Sequence, residues 1–439
     1  MVVEAATAQL SAPVRLTWNL ADCAFICFLF LIFVTLEPFA TRDALTLAGG
    51  ESGFSGAGDA LRQAAYLGSF LFVAFAAARQ NGFRALLCVP PLLAALLAWC
   101  ALSATWSAAP DVVFRRAVLE IVIVVSAMMG VATVGTERSL ALLRFVLGTV
   151  LIINWLSIPL VHNAIHLPGE TDPGLVGDWR GLYFHKNIAG SVSAITAILF
   201  FFQALKSRPL LNGAFCLGAI GFTMMTVSKS SIGLLPVAIG AGTLYAWIWR
   251  RGIDRAIAFV VLLLMALAVG IVLATHQHAI LHALNDPTEL TGRTAIWIGE
   301  IGFIRDHPLL GAGFGSFADT GAASLLHAYV ADKWVQNISH GHNAYLQMLV
   351  TIGEPGFALA MLVFVLAPAC ALWRFDPAQA GMKGVLAAIF VFMVLHNFLE
   401  SDFLEGDDPA WVSFLLMLAM LRDLDRTRLW RGRATRSPR

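Results

Sequence analysis

The chain has 439 residues, of which 58% are hydrophobic and only 13% charged, with a formal net charge of +1 and a mean hydropathy of +0.76. A soluble domain carries about 25% charged residues, so this composition excludes an ordinary water-solvated globule. The near-zero net charge gives no electrostatic reason to expect nucleic acid as a partner. The sequence reads as an all-α polytopic membrane protein.

About twelve segments have the roughly 17–25 apolar residues that a membrane-crossing helix needs. In chain order they begin near Trp18, Leu61, Ala85, Ala117, Leu140, Ile188, Leu210, Ser231, Ala256, Pro355, Lys383 and Ala410. The first, Trp18 to Leu36, is too long for a cleaved signal peptide and is expected to stay. Short cytoplasmic loops collect Lys and Arg, and the basic stretches here alternate: "RQNGFR", "TERS", "KSRP", "WRRGIDR" and "WRFDPAQAGMK". The loops between them carry the acids, among them Glu37, Asp43, Glu51, Asp59 and "ESDFLEGDD". This pattern predicts both termini inside, one membrane domain over 1–424 and a basic cytoplasmic tail over 425–439. The six cysteines all fall in apolar spans, so no disulfide framework is visible.

Three outer loops are long: His162 to Lys186, about 276–342, and 400–409. Loops of more than about 15 residues in a compact domain are usually functional. Within the longest, "GRTAIWIGEIGFIRDH" places Ile296, Gly299 and Phe303 at helical spacing, with Pro308 as the stop. Seven of the eleven histidines lie in this loop. Chemistry is therefore expected on the outer, periplasmic face.

Several cations sit where orientation disfavours them: Arg115, Arg116, Arg180, Lys186, Lys229, Arg293, Arg305 and Lys333. Any one of them can snorkel to lipid phosphates. As a set, with Arg180 in "GDWRGLYFHKN" and Arg293 in "ELTGRTAIW", they fit an anionic ligand at the membrane–water boundary. Arg offers a planar fork for bidentate phosphate binding, whereas Lys acts as a point charge. Lys229, in "VSKSSIGLL", lies between apolar runs, where an ionisable group is expensive. His342, in "HGHNAYL", is either a helix cap or a general base near neutral pH. A lipid-diphosphate sugar has a good leaving group, so two arginines and one base suffice. Glu400 and Asp402 are either interfacial acids or orient a catalytic histidine or arginine.

Other patterns point less clearly. "HQHAILH" brings His276, His278 and His282 together, but Pro287 follows at once and no Cys is near; no metal site and no cofactor are expected. "GAGFGSF" follows Pro308 rather than a strand, so it is read as a tight turn, not a dinucleotide loop.

"TGRTAIWIGEIGFIRDHPLLGAGFGSF" followed by "HGHNAYLQMLVTIGEPG" resembles the signature region of the O-antigen ligase/polysaccharide polymerase superfamily of bacterial inner-membrane proteins. "LSATWSAAPDVVFRRA", "WRGLYFHKNIAG", "TVSKSSIG" and "HNFLESD" appear in the order of its exopolysaccharide-polymerase-like branch, so the resemblance spans roughly residues 95 to 410. It implies a GT-C-like fold and a metal-independent inverting glycosyltransferase. The implied donor is an undecaprenyl-diphosphate-linked glycan, and the implied acceptor is another glycan or lipid A-core. The family's two functional arginines match Arg180 and Arg293, and its histidine matches His342. His340 is a second imidazole beside it. Lys186, Lys229, Arg305, Arg116, His340 and Glu400 are the expected substrate-binding residues. Envelope polysaccharide assembly proteins are the expected partners besides the bilayer. "FHKN" and "SKSS" tilt the reading toward an exopolysaccharide polymerase over an O-antigen ligase. A lipid-linked glycan flippase is the alternative from another class.

Overall fold

The computed structural model describes residues 18–40, 60–82, 88–170, 173–251, 293–318, 320, 324–330, 341–374 and 379–434. The described chain is helical: α1 (Leu20–Val34), α2 (Ala60–Asn81), α3 (Pro91–Leu102), α4 (Pro110–Val134), α5 (Thr136–Leu160), α6 (Lys186–Ala204), α7 (Pro209–Met225), α8 (Lys229–Arg251), α9 (Arg293–Asp306), α10 (Leu326–Tyr329), α11 (Ala344–Met361), α12 (Ala367–Trp373), α13 (Ala380–His396) and α14 (Pro409–Ala434). Among the described residues six helices are long and apolar enough to cross a membrane, counting α11 and α12 as one, and four shorter apolar helices join them. Each predicted span except that from Ala256, which lies outside the described residues, coincides with a helix. The last helix runs past Leu424 to Ala434, so most of the stretch read as a tail is helical.

Local signals place the helix starts. Asn19 and Asp22 form a reciprocal capping box at α1, and Pro91, Pro110 and Pro209 open α3, α4 and α7. Proline suits that first position because the N–H it lacks would have no partner there. Small residues set the closest packing. A Cβ on Gly242 of α8 would lie 2.4 Å from the Gly384 carbonyl oxygen of α13, so these two helices touch backbone to backbone, as small residues allow inside a bilayer.

Helix α11 is broken, and the break organises one end of the bundle. Gly353 has φ +67°, two residues before Pro355. The freed carbonyls of Val350, Thr351 and Ile352 accept hydrogen bonds from the Ala312 and Gly313 amides and the Trp99 indole, at 2.8, 2.9 and 2.9 Å. Non-helical backbone at membrane depth persists only where protein satisfies it. The "GAGFGSF" segment therefore docks on α11 as a turn whose three glycines all have positive φ. Arg116 donates to the Gly315 carbonyl at the same place.

Ion pairs separate the two ends of the bundle. Arg138 pairs with Asp22 at 2.7 Å and Arg374 with Asp425 at 2.5 Å, while Thr136 bonds Asp423. Arg138 and Arg374 belong to the stretches predicted to be basic, "TERS" and "WRFDPAQAGMK". The starts of α6, α8, α11 and α14 and the ends of α5, α7 and α13 gather at the opposite end, with the candidate site.

Candidate active site

Glu400 is the hub. It lies in the turn after α13 and is only 6% exposed. One carboxylate oxygen accepts from the Arg293 guanidinium at 3.0 Å and from the Asn187 amide at 2.8 Å. The other lies 3.1 Å from His342 Nδ1. Burial alone would raise this carboxyl's pKa. The His342 hydrogen bond and the Arg293 charge outweigh it and hold the group well below the usual carboxylate range. An ionised carboxylate only accepts, so Nδ1 carries the proton and the ring's lone pair sits on Nε2.

The backbone around His342 is held as tightly. His342 has φ +51°, a left-handed conformation that costs an L-residue roughly 1–2 kcal/mol. Asn343 caps α11 through the Tyr345 and Leu346 amides. The Ala344 amide bonds the carbonyls of Asn397 and Glu400 at 3.0 and 3.1 Å. Behind this turn His396 bonds Asp402 at 2.8 Å and approaches Ser231 at 3.3 Å, all three buried. Asn397 accepts from the Asp402 and Phe403 amides. The segment "HNFLESD" is thus a braced turn that presents Glu400.

Arg180 belongs to a neighbouring network. It is fully buried, and its guanidinium donates to the carbonyls of Asn163 and Phe184 at 2.7 and 3.2 Å and pairs with Glu170 at 3.1 Å. His166 Nδ1 also bonds Glu170, at 2.7 Å. Burial raises Glu170, but its bonds from the Leu167 amide and His166 and the Arg180 charge hold it below its usual value. Lys186 pairs with Asp178 at 2.6 Å. The two networks meet on the first turn of α6, where His185 and Asn187 sit and the His166 and His185 rings lie 5.7 Å apart.

Of the expected site residues, then, His342, Arg293 and Glu400 come together directly. Arg180 and Lys186 flank them from the second network. Arg116 is spent on the Gly315 turn, and Lys229 and Arg305 are exposed, outside both networks. His340 and the "HQHAILH" histidines lie outside the described residues. The helix predicted from "GRTAIWIGEIGFIRDH" is α9, stopped before Pro308, with Arg293 at its start. Sequence reasoning passed over His185, Asn187, His166 and Glu170. All four lie in the Gly-rich loop after α5 or at its junction with α6, and their mix of acids and imidazoles around Arg180 was the available signal.

Glu300 is a further buried acid. It stands seven residues after Arg293 on α9, is 3% exposed, and one oxygen has no hydrogen-bond partner among the described residues. A Cβ on Gly341 would lie 2.1 Å from its other oxygen, so the carboxyl fills the space beside the residue before His342. Burial pushes its pKa from 4.5 up to about 8. Below its unfolded pKa the group is protonated in both states. As pH rises toward about 8 only the unfolded chain releases the proton, so stability should fall by about 1.4 kcal/mol per pH unit and then level off. Glu300→Gln mimics the protonated form. Thermal unfolding in detergent should show the variant level with the parent near pH 5 and more stable at pH 8. Equal melting at both pH values would mean that Glu300 is not held protonated.

Comparison with known proteins agrees with the motifs. A family model described as O-antigen ligase matches residues 214–361, which include Arg293 and His342. The chain is also similar to the exopolysaccharide production protein ExoQ of Rhizobium meliloti (strain 1021), 26% identical over 330 residues, covering 71% of this chain and 72% of that protein. By its ordered motifs and these two likenesses the chain is similar to members of the O-antigen ligase/exopolysaccharide polymerase superfamily.

Proposed function

We propose that the protein is a GT-C-like membrane glycosyltransferase of about twelve spans that transfers glycan from undecaprenyl diphosphate at the periplasmic face of the inner membrane, as an exopolysaccharide polymerase. The observation that carries this reading is Glu400 bonded at once to His342 Nδ1, Arg293 and Asn187. A carboxylate on Nδ1 fixes the imidazole tautomer, makes Nε2 the proton acceptor and stabilises the imidazolium that forms. His342 then takes the proton of the acceptor hydroxyl as that oxygen attacks the anomeric carbon. The sugar–oxygen bond to the diphosphate breaks with inversion. Arg293, 17% exposed, offers its remaining donor edge to the charge growing on the leaving group. Arg180, wholly buried against Glu170, braces the loop that carries Lys186 rather than meeting the donor itself. Joining the glycan to lipid A-core instead would use the same geometry and differ only in acceptor.

Because cations supply the charge compensation, turnover should survive chelation. Purified protein in proteoliposomes, given a lipid-diphosphate glycan and EDTA, is expected to release the free lipid diphosphate and lengthen the glycan. Activity lost in EDTA and restored by a divalent ion would assign leaving-group stabilisation to a metal instead. A protein that moves the lipid-linked glycan across the bilayer without breaking the diphosphate–sugar bond would be a flippase.

A further inference from the structure

The first turn of α6 is closed by two imidazoles in opposite tautomers. The Lys186 amide donates to His166 Nε2 at 3.2 Å, so His166 carries its proton on Nδ1 and gives it to Glu170. The Asn187 amide donates to His185 Nδ1 at 3.1 Å. That bond occupies the Nδ1 lone pair and leaves the His185 proton on Nε2. The first amides of a helix have no partner within the helix, and each imidazole satisfies one.

His185 differs from His166 in one respect. Its Nε2–H makes no hydrogen bond among the described residues, and the residue as a whole is half-buried. The ring stands between the two networks. Nδ1 is folded onto α6, so Nε2, on the far side of the ring, faces away from the helix start. Burial drives the His185 pKa down to about 3; the Glu400 charge opposes this shift and that of Lys186 adds to it. The imidazole is therefore neutral at physiological pH, and its only lone pair is taken. It is unsuited to act as a base.

We propose that His185 is a substrate-binding residue, a fixed uncharged donor whose Nε2–H bonds a phosphoryl oxygen of the donor's diphosphate beside Arg293. This rests on the glycosyltransferase reading above and adds a contact to it. Arg180 and Lys186 are already paired with Glu170 and Asp178, whereas the His185 Nε2–H has no carboxylate partner among the described residues. It also lies at the positive end of the α6 dipole, where an anion is favoured.

The test separates the cap from the donor. His185→Ser retains an N-cap hydroxyl for α6 and removes Nε2–H, whereas His185→Ala removes both. Binding of inorganic pyrophosphate and of farnesyl diphosphate to the detergent-solubilised full chain is measured by calorimetry, beside thermal unfolding and glycan turnover. A hydrogen bond to a charged group contributes about 1.5–3 kcal/mol. Both variants should therefore bind both probes about 10–100-fold more weakly, with turnover down at least as far. Only His185→Ala should melt several degrees lower. Parent-like binding and turnover by His185→Ser would reduce His185 to a cap and overturn the proposal, as would weakening confined to farnesyl diphosphate. A parent chain that binds neither probe would overturn the reading of the site and this inference with it. His342→Ala, expected to keep probe binding, tells loss of chemistry from loss of binding.

Discussion

His342→Ala should lower glycan turnover by about 10²–10⁴-fold, the usual contribution of a positioned general base, while binding of a polyprenyl diphosphate stays close to that of the parent. The direction follows from the hydrogen bond between Nδ1 and Glu400, which turns Nε2 into the proton acceptor. Residual activity is expected because the diphosphate leaves readily once its charge is met. Specific activity must be normalised to folded protein, since His342 also occupies a left-handed position in the turn that starts α11. A histidine with only a structural role would give less folded protein with parent-like activity per molecule. His340→Ala is the control: if it abolishes turnover while His342→Ala does not, the base is the other imidazole.

Glu400→Gln should be nearly as damaging, for a different reason. The amide keeps the shape but removes the negative charge that stabilises both the His342 imidazolium and Arg293. Breaking a buried pair costs about 3–5 kcal/mol; Arg293 retains some contact with solvent, so a stability loss nearer ~2–3 kcal/mol is expected. Turnover should fall by about 10²-fold or more, since Gln can offer its NH₂ group to Nδ1 and so favour the wrong tautomer. Arg293→Lys keeps the positive charge but loses the planar fork that reaches Glu400 and the Leu399 carbonyl together. Combined in one chain, Glu400→Gln and Arg293→Lys should cost less than the sum of the two, because they break the same pair. Strict additivity in turnover and in thermal stability would show that Glu400 and Arg293 act independently.

Much of this arrangement was written locally. Apolar runs of membrane length marked the helices because every backbone group in hydrocarbon must be satisfied within its own segment. "GRTAIWIGEIGFIRDH" gave α9 through its spacing and its proline, and the glycines of "GAGFGSF" gave the turn that docks on α11. The motif order pointed to His342, Arg293 and Arg180, and the acids of "HNFLESD" were singled out as groups that could orient a catalytic histidine or arginine. Both features act over a few residues, so neighbouring letters suffice to read them.

Partnership was decided only by the tertiary structure. Glu400 is 58 residues from His342, 107 from Arg293 and 213 from Asn187 along the chain, and no local pattern encodes which carboxylate meets which cation. Arg180 and Arg293 look alike in sequence, each in a Gly-containing polar stretch. Packing buries one against Glu170 and leaves the other at the lip of the site. Lys229 and Arg305 share the composition of that set but face outward. The sequence by itself determined a helical membrane bundle, with the candidate site residues standing mainly in its long polar loops. Which side chains form one site depended on how helix ends far apart in the chain converge. Hydrogen bonds and ion pairs act over about 3 Å, and only the folded bundle sets those separations.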